Sequence, residues 1–356
     1  MADKKIAQVC PRYHPFIGGV ETHVKAISER LVEKGIETEV LTTDPSGRLR
    51  KEEMINGVKV RRFKSWAPNE AYYFSLELKK WLMVKSDGYD IVHAHSYHAL
   101  PALYAAEAKG KNKLIFSSHY HGKGHTFFRV LLHIPYKFLG GKIFERADKV
   151  VCGSSFEKNL VTKNFTVNEE KIVVVPNGVD LEFKGLRKNK AECRKVLCVS
   201  RLEKYKGIQY LIRVLPKLDN DIVLDIVGKG PYKQRLVRLA RELGVENRAR
   251  FLQDLSRKEL LQKYVDADLF ALLSEHEAYG ISVAEALASG TPCVVADTSA
   301  LSEWIDNENC FGIRYPINLD ELASLINSVI GKRMGALRLP DWDEVTDKLV
   351  NVYKSC

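Results

Sequence analysis

The sequence predicts an α/β protein of two domains, each built on a parallel sheet. Three observations lead there. The chain has 356 residues, enough for two separate cores. Short apolar runs of strand length alternate with amphipathic stretches of helix length along almost all of it, the rhythm of strand–helix–strand units with right-handed crossovers. That rhythm is broken near the middle by the mostly charged stretch 181–193, which reads as a linker. The expected division is residues 1–180, the linker 181–193, a second domain 194–340, and a terminal helix 341–356.

In the first half, Lys5 to Cys10 is a strand that Pro11 ends, and a helix is expected from about Val20 to Lys34 after the paired Gly18 and Gly19. Such glycines let backbone N–H groups approach an anion at a helix start. The spacing is not a dinucleotide fingerprint. Ile36–Thr42 and Val58–Phe63 are strands joined by a polar loop. Ser75–Lys85 is a helix with Leu76, Leu78, Trp81 and Leu82 on its apolar side. Asp90–His95 is a strand, Ala99–Lys109 a helix, and Lys113–Ser118 a strand whose end delivers His119-Tyr120-His121. Phe127–Leu139 mixes aromatic, aliphatic and basic residues; it reads as a helix on the core or an interfacial segment, and Pro135 suggests a break. Lys149–Cys152 and Lys171–Val175 close the first sheet.

The second half repeats the pattern. Val196–Ser200 is a strand, Ile208–Leu215 a helix, and Ile222–Val227 a strand ending at Gly228. Tyr232–Leu243 is a helix, Arg250–Leu252 a strand and Arg257–Val265 a helix. The strand Leu269–Leu273 then leads into a polar turn holding Glu277, Tyr279 and Gly280. A helix from Ile281 to Ser289 carries Glu285; Gly290 caps it and Pro292 prevents its continuation. Cys293–Ala296 is the next strand. A turn of this kind aims backbone N–H groups and a positive helix end at its ligand, which suits a phosphate. Trp342–Tyr353 is an amphipathic terminal helix.

Hydrophobic content of 45% and charged content of 28% are ordinary for a globular protein. There is no run of 18 apolar residues, and the opening MADKKIAQVC has no signal-peptide layout. The seven cysteines are scattered, which suggests reduced thiols and a cytoplasmic setting. The net charge is +10, and residues 1–180 hold most of it, with 28 Lys and Arg against 20 Asp and Glu. A basic first domain, including Lys59, Arg61, Arg62, Lys64 and Lys123, points to an anionic partner such as a phospholipid surface; nothing points to nucleic acid.

The spacing Glu277-x7-Glu285, with the flanking Tyr-Gly-Ile, Ala-Ser-Gly-Thr-Pro and Glu303, resembles the signature of glycosyltransferase family 4. Gly-Gly-Val-Glu after the first strand, the string Pro176–Asp180 and the pattern Arg-Leu…Lys-Gly at Arg201 and Lys206 are similar to the family too. The resemblance implies the GT-B fold, two Rossmann-like domains facing a central cleft, with a terminal helix packed back on the first domain. It implies a retaining transfer of a hexose from a nucleotide-diphosphate sugar to a hydroxyl acceptor; the basic first domain and the Phe127–Leu139 segment add the expectation of a lipid-linked or other anionic acceptor and peripheral membrane contact. Carried onto this chain, Arg201 and Lys206 stabilise the departing diphosphate in place of a metal, and no cofactor is expected. Gly18, Gly19, Gly228, Tyr279, Gly280, Ile281 and Ser282 border the donor. Glu277 meets the sugar hydroxyls, Glu285 the ribose, and His119 hydrogen-bonds near the reacting carbon, with His121 as the alternative. Two departures border the donor pocket: Gln253 and Ser299-Ala300 stand where glycines are usual.

Three Asp-x-Asp pairs, at Asp219, Asp266 and Asp341, read as turn and helix-end residues, not a metal site. The rival reading is a zinc-dependent hydrolase that uses His93-x-His95 and His119-x-His121, since alternate residues of a strand share a face. A third is a non-catalytic binding protein of the same fold; the presence of Arg201, Lys206 and Glu277 argues against it.

Overall fold

A computed structural model describes residues 3–122, 127–183, 185–190, 192–332, 334 and 337–356. In chain order the first half holds β1 Lys5–Cys10, α1 Gly19–Glu33, β2 Glu37–Asp44, β3 Glu52–Ile55, β4 Val58–Lys64, α2 Leu76–Lys85, β5 Ile91–His95, α3 Leu100–Glu107, β6 Lys113–Ser117, α4 Phe127–Arg146, β7 Lys149–Cys152, α5 Ser155–Asn164 and β8 Ile172–Val174. Then come β9 Arg194–Val199, α6 Ile208–Val214, β10 Ile222–Val227, α7 Lys233–Glu242, β11 Ala249–Leu252, α8 Arg257–Asp266, β12 Leu269–Leu272, α9 Ile281–Ala288, β13 Cys293–Asp297, β14 Cys310–Arg314, α10 Leu319–Val329 and α11 Trp342–Lys354. The chain divides into two compact units, Met1–Gly178 with Trp342–Cys356, and Val179–Asp341.

The first unit is built on a sheet ordered β3-β4-β2-β1-β5-β6-β7-β8, parallel except for β3 against β4. Its strands are apolar on both faces because both are covered. One face packs Leu78 and Leu82 of α2, Leu103 of α3 and Phe144 of α4 over Val92, Leu114 and Phe116. The other packs Ile27 and Leu31 of α1 together with Trp342, Val345 and Leu349 of α11 over Ile6, Ile91 and Ile115. The last thirteen helical residues therefore complete a core begun by the first strand. Each fully buried Leu or Ile there contributes about 1.5–3 kcal/mol. The ion pairs Arg30–Asp343 and Lys34–Asp347 along the α1–α11 seam are exposed and add little.

The second unit has an all-parallel sheet ordered β11-β10-β9-β12-β13-β14. Ile208, Leu211 and Ile212 of α6, Leu236 of α7 and Leu322 and Ile326 of α10 cover one face. Tyr264 of α8 and Val283, Ala286 and Leu287 of α9 cover the other. The chain enters and leaves this unit side by side, with Val179 N–H donating to the Pro340 carbonyl at 3.0 Å. All seven cysteines are free thiols. Among the described residues no helix is long and apolar enough to cross a membrane.

Several expectations are corrected. The loop between β2 and β4 contains the strand β3, joined to β4 by the Asn56-Gly57 turn, whose positive φ values of 48° and 81° suit a tight hairpin. Leu76 is not on the apolar side of α2; it is 73% exposed, and Leu78 and Leu82 alone are fully buried. The helix α4 runs on through Pro135 to Arg146, so no break separates its two halves. Within the stretch expected as a linker, Lys188 Nζ lies 2.6 Å from Asp268 and Asn189 N–H donates to Asp266 at 2.9 Å.

The basic cluster offered to a membrane is largely neutralised. Arg62 is buried, bonded to the His14 carbonyl and paired with Glu53; Arg61 pairs with Glu39 and Glu52, and Lys59 approaches Glu39 at 3.6 Å. Lys123 lies outside the described residues.

Candidate functional site

In the second unit the candidate residues gather in the loops that follow β9, β10, β12 and β13, the carboxyl ends of parallel strands where open α/β sheets collect ligands. The loop after β9 carries Arg201 and Lys206; the loop after β12 carries Glu277. Lys206 Nζ lies 2.5 Å from Glu277 Oε1, with both side chains mostly buried. Burial opposes the Lys206 charge, but Glu277 and Tyr205 together more than offset it and hold the ammonium above its usual range. Glu275 N–H donates to the Tyr205 carbonyl at 2.8 Å, so backbone and side chains both tie these loops together. Arg201 is more exposed and pairs with Glu203 at 2.7 Å.

Glu277 is held from the far side by the loop after β13. Its N–H donates to Ser299 Oγ at 3.0 Å, and its carbonyl accepts from Ala300 N–H at 3.3 Å. Ser299 has φ 53°, so the serine standing where glycine is usual adopts the left-handed conformation and caps the Glu277 turn. The turn closes at Gly280, whose φ of 94° starts α9; a Cβ there would lie 3.0 Å from Leu301. Ile281 and Ser282 form the first turn of α9, and the Tyr279 carbonyl accepts from Trp304 Nε1 at 2.7 Å.

Gly228 closes the edge of the group after β10. With φ 145°, a Cβ on it would stand 2.0 Å from the Ser200 carbonyl oxygen, so only glycine lets these two loops meet. Gln253, the other departure, donates to the Gly228 carbonyl at 3.1 Å and accepts from Lys233 at 2.9 Å. Glu285 is set apart: its carboxylate is buried between Arg257 at 2.7 Å and the Tyr264 hydroxyl at 2.8 Å, and Arg257 also binds Asp180 at 2.6 Å. Arg257 and Tyr264 were not among the sequence candidates; only tertiary packing brings α8 against α9.

The first unit holds Gly18, Gly19 and His119. Gly18 caps α1, but the anion at that helix start is the chain's own. The Glu21 carboxylate lies within 2.4 Å of where a Gly18 Cβ would stand and pairs with Arg12 at 2.7 Å. An acidic residue in the first turn complements the helix dipole.

His119 follows β6 with φ 46°, a sparsely populated conformation for a side-chain-bearing residue, and its loop is pinned by the buried Glu157. That carboxylate accepts from Ser118 Oγ, from Tyr120 N–H at 2.7 Å and from Gly153 N–H at 2.7 Å. Burial pushes its pKa up to about 7 against those three donors. Burial lowers His119 to about 3, with the neighbouring His23 acting in the same sense. Burial also lowers His23 to about 4, which its bond to Asn177 opposes.

The His-x-His pairs do not act as pairs. Both His93 nitrogens are bonded, to Tyr353 at 2.7 Å and Ser117 at 2.8 Å, and His121 stacks on His98 at 4.3 Å. His119 meets His23 and His95 instead, at ring separations of 5.1 and 5.9 Å. The Asp-x-Asp carboxylates serve the fold: Asp219 and Asp221 clamp Arg194, Asp266 and Asp268 receive Asn189 and Lys195 N–H groups, and Asp343 pairs with Arg30.

Two family descriptions match in succession, Glycosyltransferase Family 4 over residues 17–183 and Glycosyl transferases group 1 over residues 181–339. An uncharacterized glycosyltransferase of Methanocaldococcus jannaschii is 28% identical over 98% of each chain. Among solved structures, sucrose-phosphate synthase of Thermosynechococcus elongatus superposes with a TM-score of 0.81 at 18% identity, covering 99% of each chain. Anabaena HepE in complex with UDP-glucose superposes with a TM-score of 0.81 at 19% identity, covering 99% of this chain and 100% of that one. With both halves matched in order, and with two parallel-sheet units, the chain belongs to glycosyltransferase family 4 and is a glycosyltransferase of the GT-B fold.

Proposed function

We propose that the chain transfers a hexosyl group, with retention of configuration and without a metal, from a nucleotide-diphosphate sugar to a hydroxyl acceptor. The observation that carries this reading is the Lys206–Glu277 pair at the mouth of the second sheet, next in sequence to the first turn of α9. A departing diphosphate needs fixed positive charge. Lys206 and Arg201 supply it, and the start of α9 adds oriented N–H groups. Glu277, already an acceptor, takes hydrogen bonds from the sugar hydroxyls. Glu285 accepts one bond on each oxygen and keeps a lone pair on each for the ribose.

That HepE was captured with UDP-glucose supports a nucleotide sugar as donor. The second unit is assigned to the donor and the first to the acceptor. His119, kept neutral by burial, hydrogen-bonds near the reacting carbon instead of acting as a cationic acid.

For the acceptor, a lipid-linked hydroxyl compound at the cytoplasmic face of an anionic membrane is the reading preferred. Its support is the outward face of α2, which exposes Leu76, Met83 and Val84 among Lys80 and Lys85, the mixture that interfacial helices carry. Co-sedimentation with anionic and neutral vesicles tests this part. Binding to anionic vesicles alone, weakened by salt, supports it; equal pelleting with both, or with neither, leaves a soluble acceptor. A panel of nucleotide sugars screened by thermal shift in EDTA tests the donor side. A ligand at 100 times its dissociation constant adds about 2.7 kcal/mol, and no stabilisation by any donor of the panel would contradict the reading.

A further inference from the structure

Within the first unit, three imidazoles from three separate elements converge: His23 from α1, His95 from the end of β5 and His119 from the loop after β6. The His23–His95 ring separation is 5.5 Å, comparable with those to His119. One ring nitrogen of each lies within 4.8 Å of the other two. His23 Nε2, His95 Nδ1 and His119 Nε2 are buried and have no hydrogen-bond partner. An unsatisfied buried polar atom is costly, and three together at one point call for a ligand.

The surrounding bonds fix what that ligand must be. His23 Nδ1 lies 2.5 Å from the Asn177 side-chain oxygen, an acceptor, so Nδ1 carries the proton and Nε2 offers a lone pair. Gln8 Nε2 donates to the Tyr353 hydroxyl at 3.3 Å, which turns Gln8 Oε1 toward His95 Nε2 at 2.7 Å. His95 Nε2 therefore carries the proton, and Nδ1 offers a lone pair. The Tyr353 hydroxyl in turn meets His93 Nδ1 at 2.7 Å, completing the chain. Two lone pairs thus face one point, and two acceptors cannot bond each other. A proton on His119 Nε2 would satisfy one of them at most.

We propose that His23, His95 and His119 form a site for one divalent transition-metal ion of the zinc class. Three neutral imidazoles with a fourth position open are a donor set zinc accepts, and the amide oxygens on the far ring nitrogens of His23 and His95 are the outer-shell partners such ligands use. Bonds of about 2.0–2.1 Å in a tetrahedral site place ligand nitrogens about 3.4 Å apart, so small ring rotations close the cluster. His23 and His95 are fully enclosed; His119 is half-buried and leaves the entry path and the fourth position on its side. The site is distinct from the diphosphate loops of the second unit. It does not depend on the proposed transfer.

Cobalt(II) titration of the metal-free chain, followed by visible absorption, tests it. The expected result is one tightly bound ion with the intense d–d bands of a four-coordinate nitrogen site, displaced by zinc. His95→Gln should abolish the bands, and Asn177→Ala, which frees the His23 ring, should weaken binding by roughly 10–100-fold. Weak, six-coordinate spectra from the intact chain would overturn the proposal. So would undiminished binding in a folded His95→Gln chain, which would place the ion elsewhere, for instance at the stacked His98–His121 pair. If His95→Gln fails to fold, the intact-chain spectrum and the Asn177→Ala shift decide.

Discussion

Lys206 and Glu277 lie 71 residues apart in sequence and 2.5 Å apart in space, and their contact joins the loop after β9 to the loop after β12. The pair, the Glu275–Tyr205 backbone bond and the Ser299 cap of Glu277 form one polar cluster over the sheet end. The groups assigned to the donor are therefore also the groups that hold their own loops in place.

Replacing Lys206 by Ala should cut turnover by roughly 10²-fold or more, the scale for losing one group that stabilises charge in the transition state. Arg201→Ala should fall in the same range with a smaller loss of stability than Lys206→Ala, because the Arg201 side chain is 41% exposed, although its partner Glu203 is mostly buried. Steady-state kinetics with melting curves on both variants check this. Wild-type turnover in either would remove that residue from the diphosphate role.

Glu277→Gln should lose most activity and also destabilise the second unit. The amide keeps the size but leaves the mostly buried Lys206 ammonium without a counter-charge. Breaking a buried pair costs about 3–5 kcal/mol, and partial solvent access reduces that to roughly 1–3 kcal/mol. A double variant with Lys206→Met should recover part of the stability but none of the activity. Equal melting temperatures for wild type and Glu277→Gln would show that the pair carries no weight in the fold.

Most of the strands follow from patterns visible in the chain, because buried parallel strands read as short apolar runs whatever surrounds them. The hairpin at β3 has a tight-turn signal in Asn56-Gly57, but the strand before it, Glu52 to Ile55, is half charged and does not read as a strand. Helix α10 carried its own signature, Asn318 as cap and Leu322, Ala323, Ile326 and Val329 as a buried stripe. Pairings across long separations were not legible. Nothing near Glu285 announces Arg257, and nothing near His119 announces His23. One signal was available: Gln8 is a polar residue inside an otherwise apolar strand, and it proves fully buried with a partner on each side.

Glu157 gives a pH test. Its pKa is raised to about 7 by burial, above the usual range near 4.5, so between those values the folded chain binds more protons than the unfolded one. Its contribution to stability therefore falls as pH rises from about 4.5 to about 7 and is flat above, by roughly 3 kcal/mol in total. The stability difference between wild type and Glu157→Gln should follow that curve in denaturant titrations from pH 5 to pH 8. A difference independent of pH would mean the carboxyl titrates normally.

Metal should act on the transferase as an inhibitor and not as a requirement. EDTA should leave turnover unchanged, and zinc added at one equivalent should lower it, because the ion would engage His119. His23→Gln should be less sensitive to zinc than the wild type. Activity lost with EDTA and restored by zinc would reverse both statements.

Lys206 and its loop should bind the donor diphosphate without a metal. Isothermal titration of UDP-, GDP- and ADP-glucose into the chain in EDTA tests it most directly. At least one donor should bind in EDTA, and Lys206→Ala should weaken that binding at least about tenfold, the worth of one charge-assisted contact of about 1.5–3 kcal/mol. Binding that appears only with added magnesium or manganese, or that is equally tight in Lys206→Ala, would contradict it.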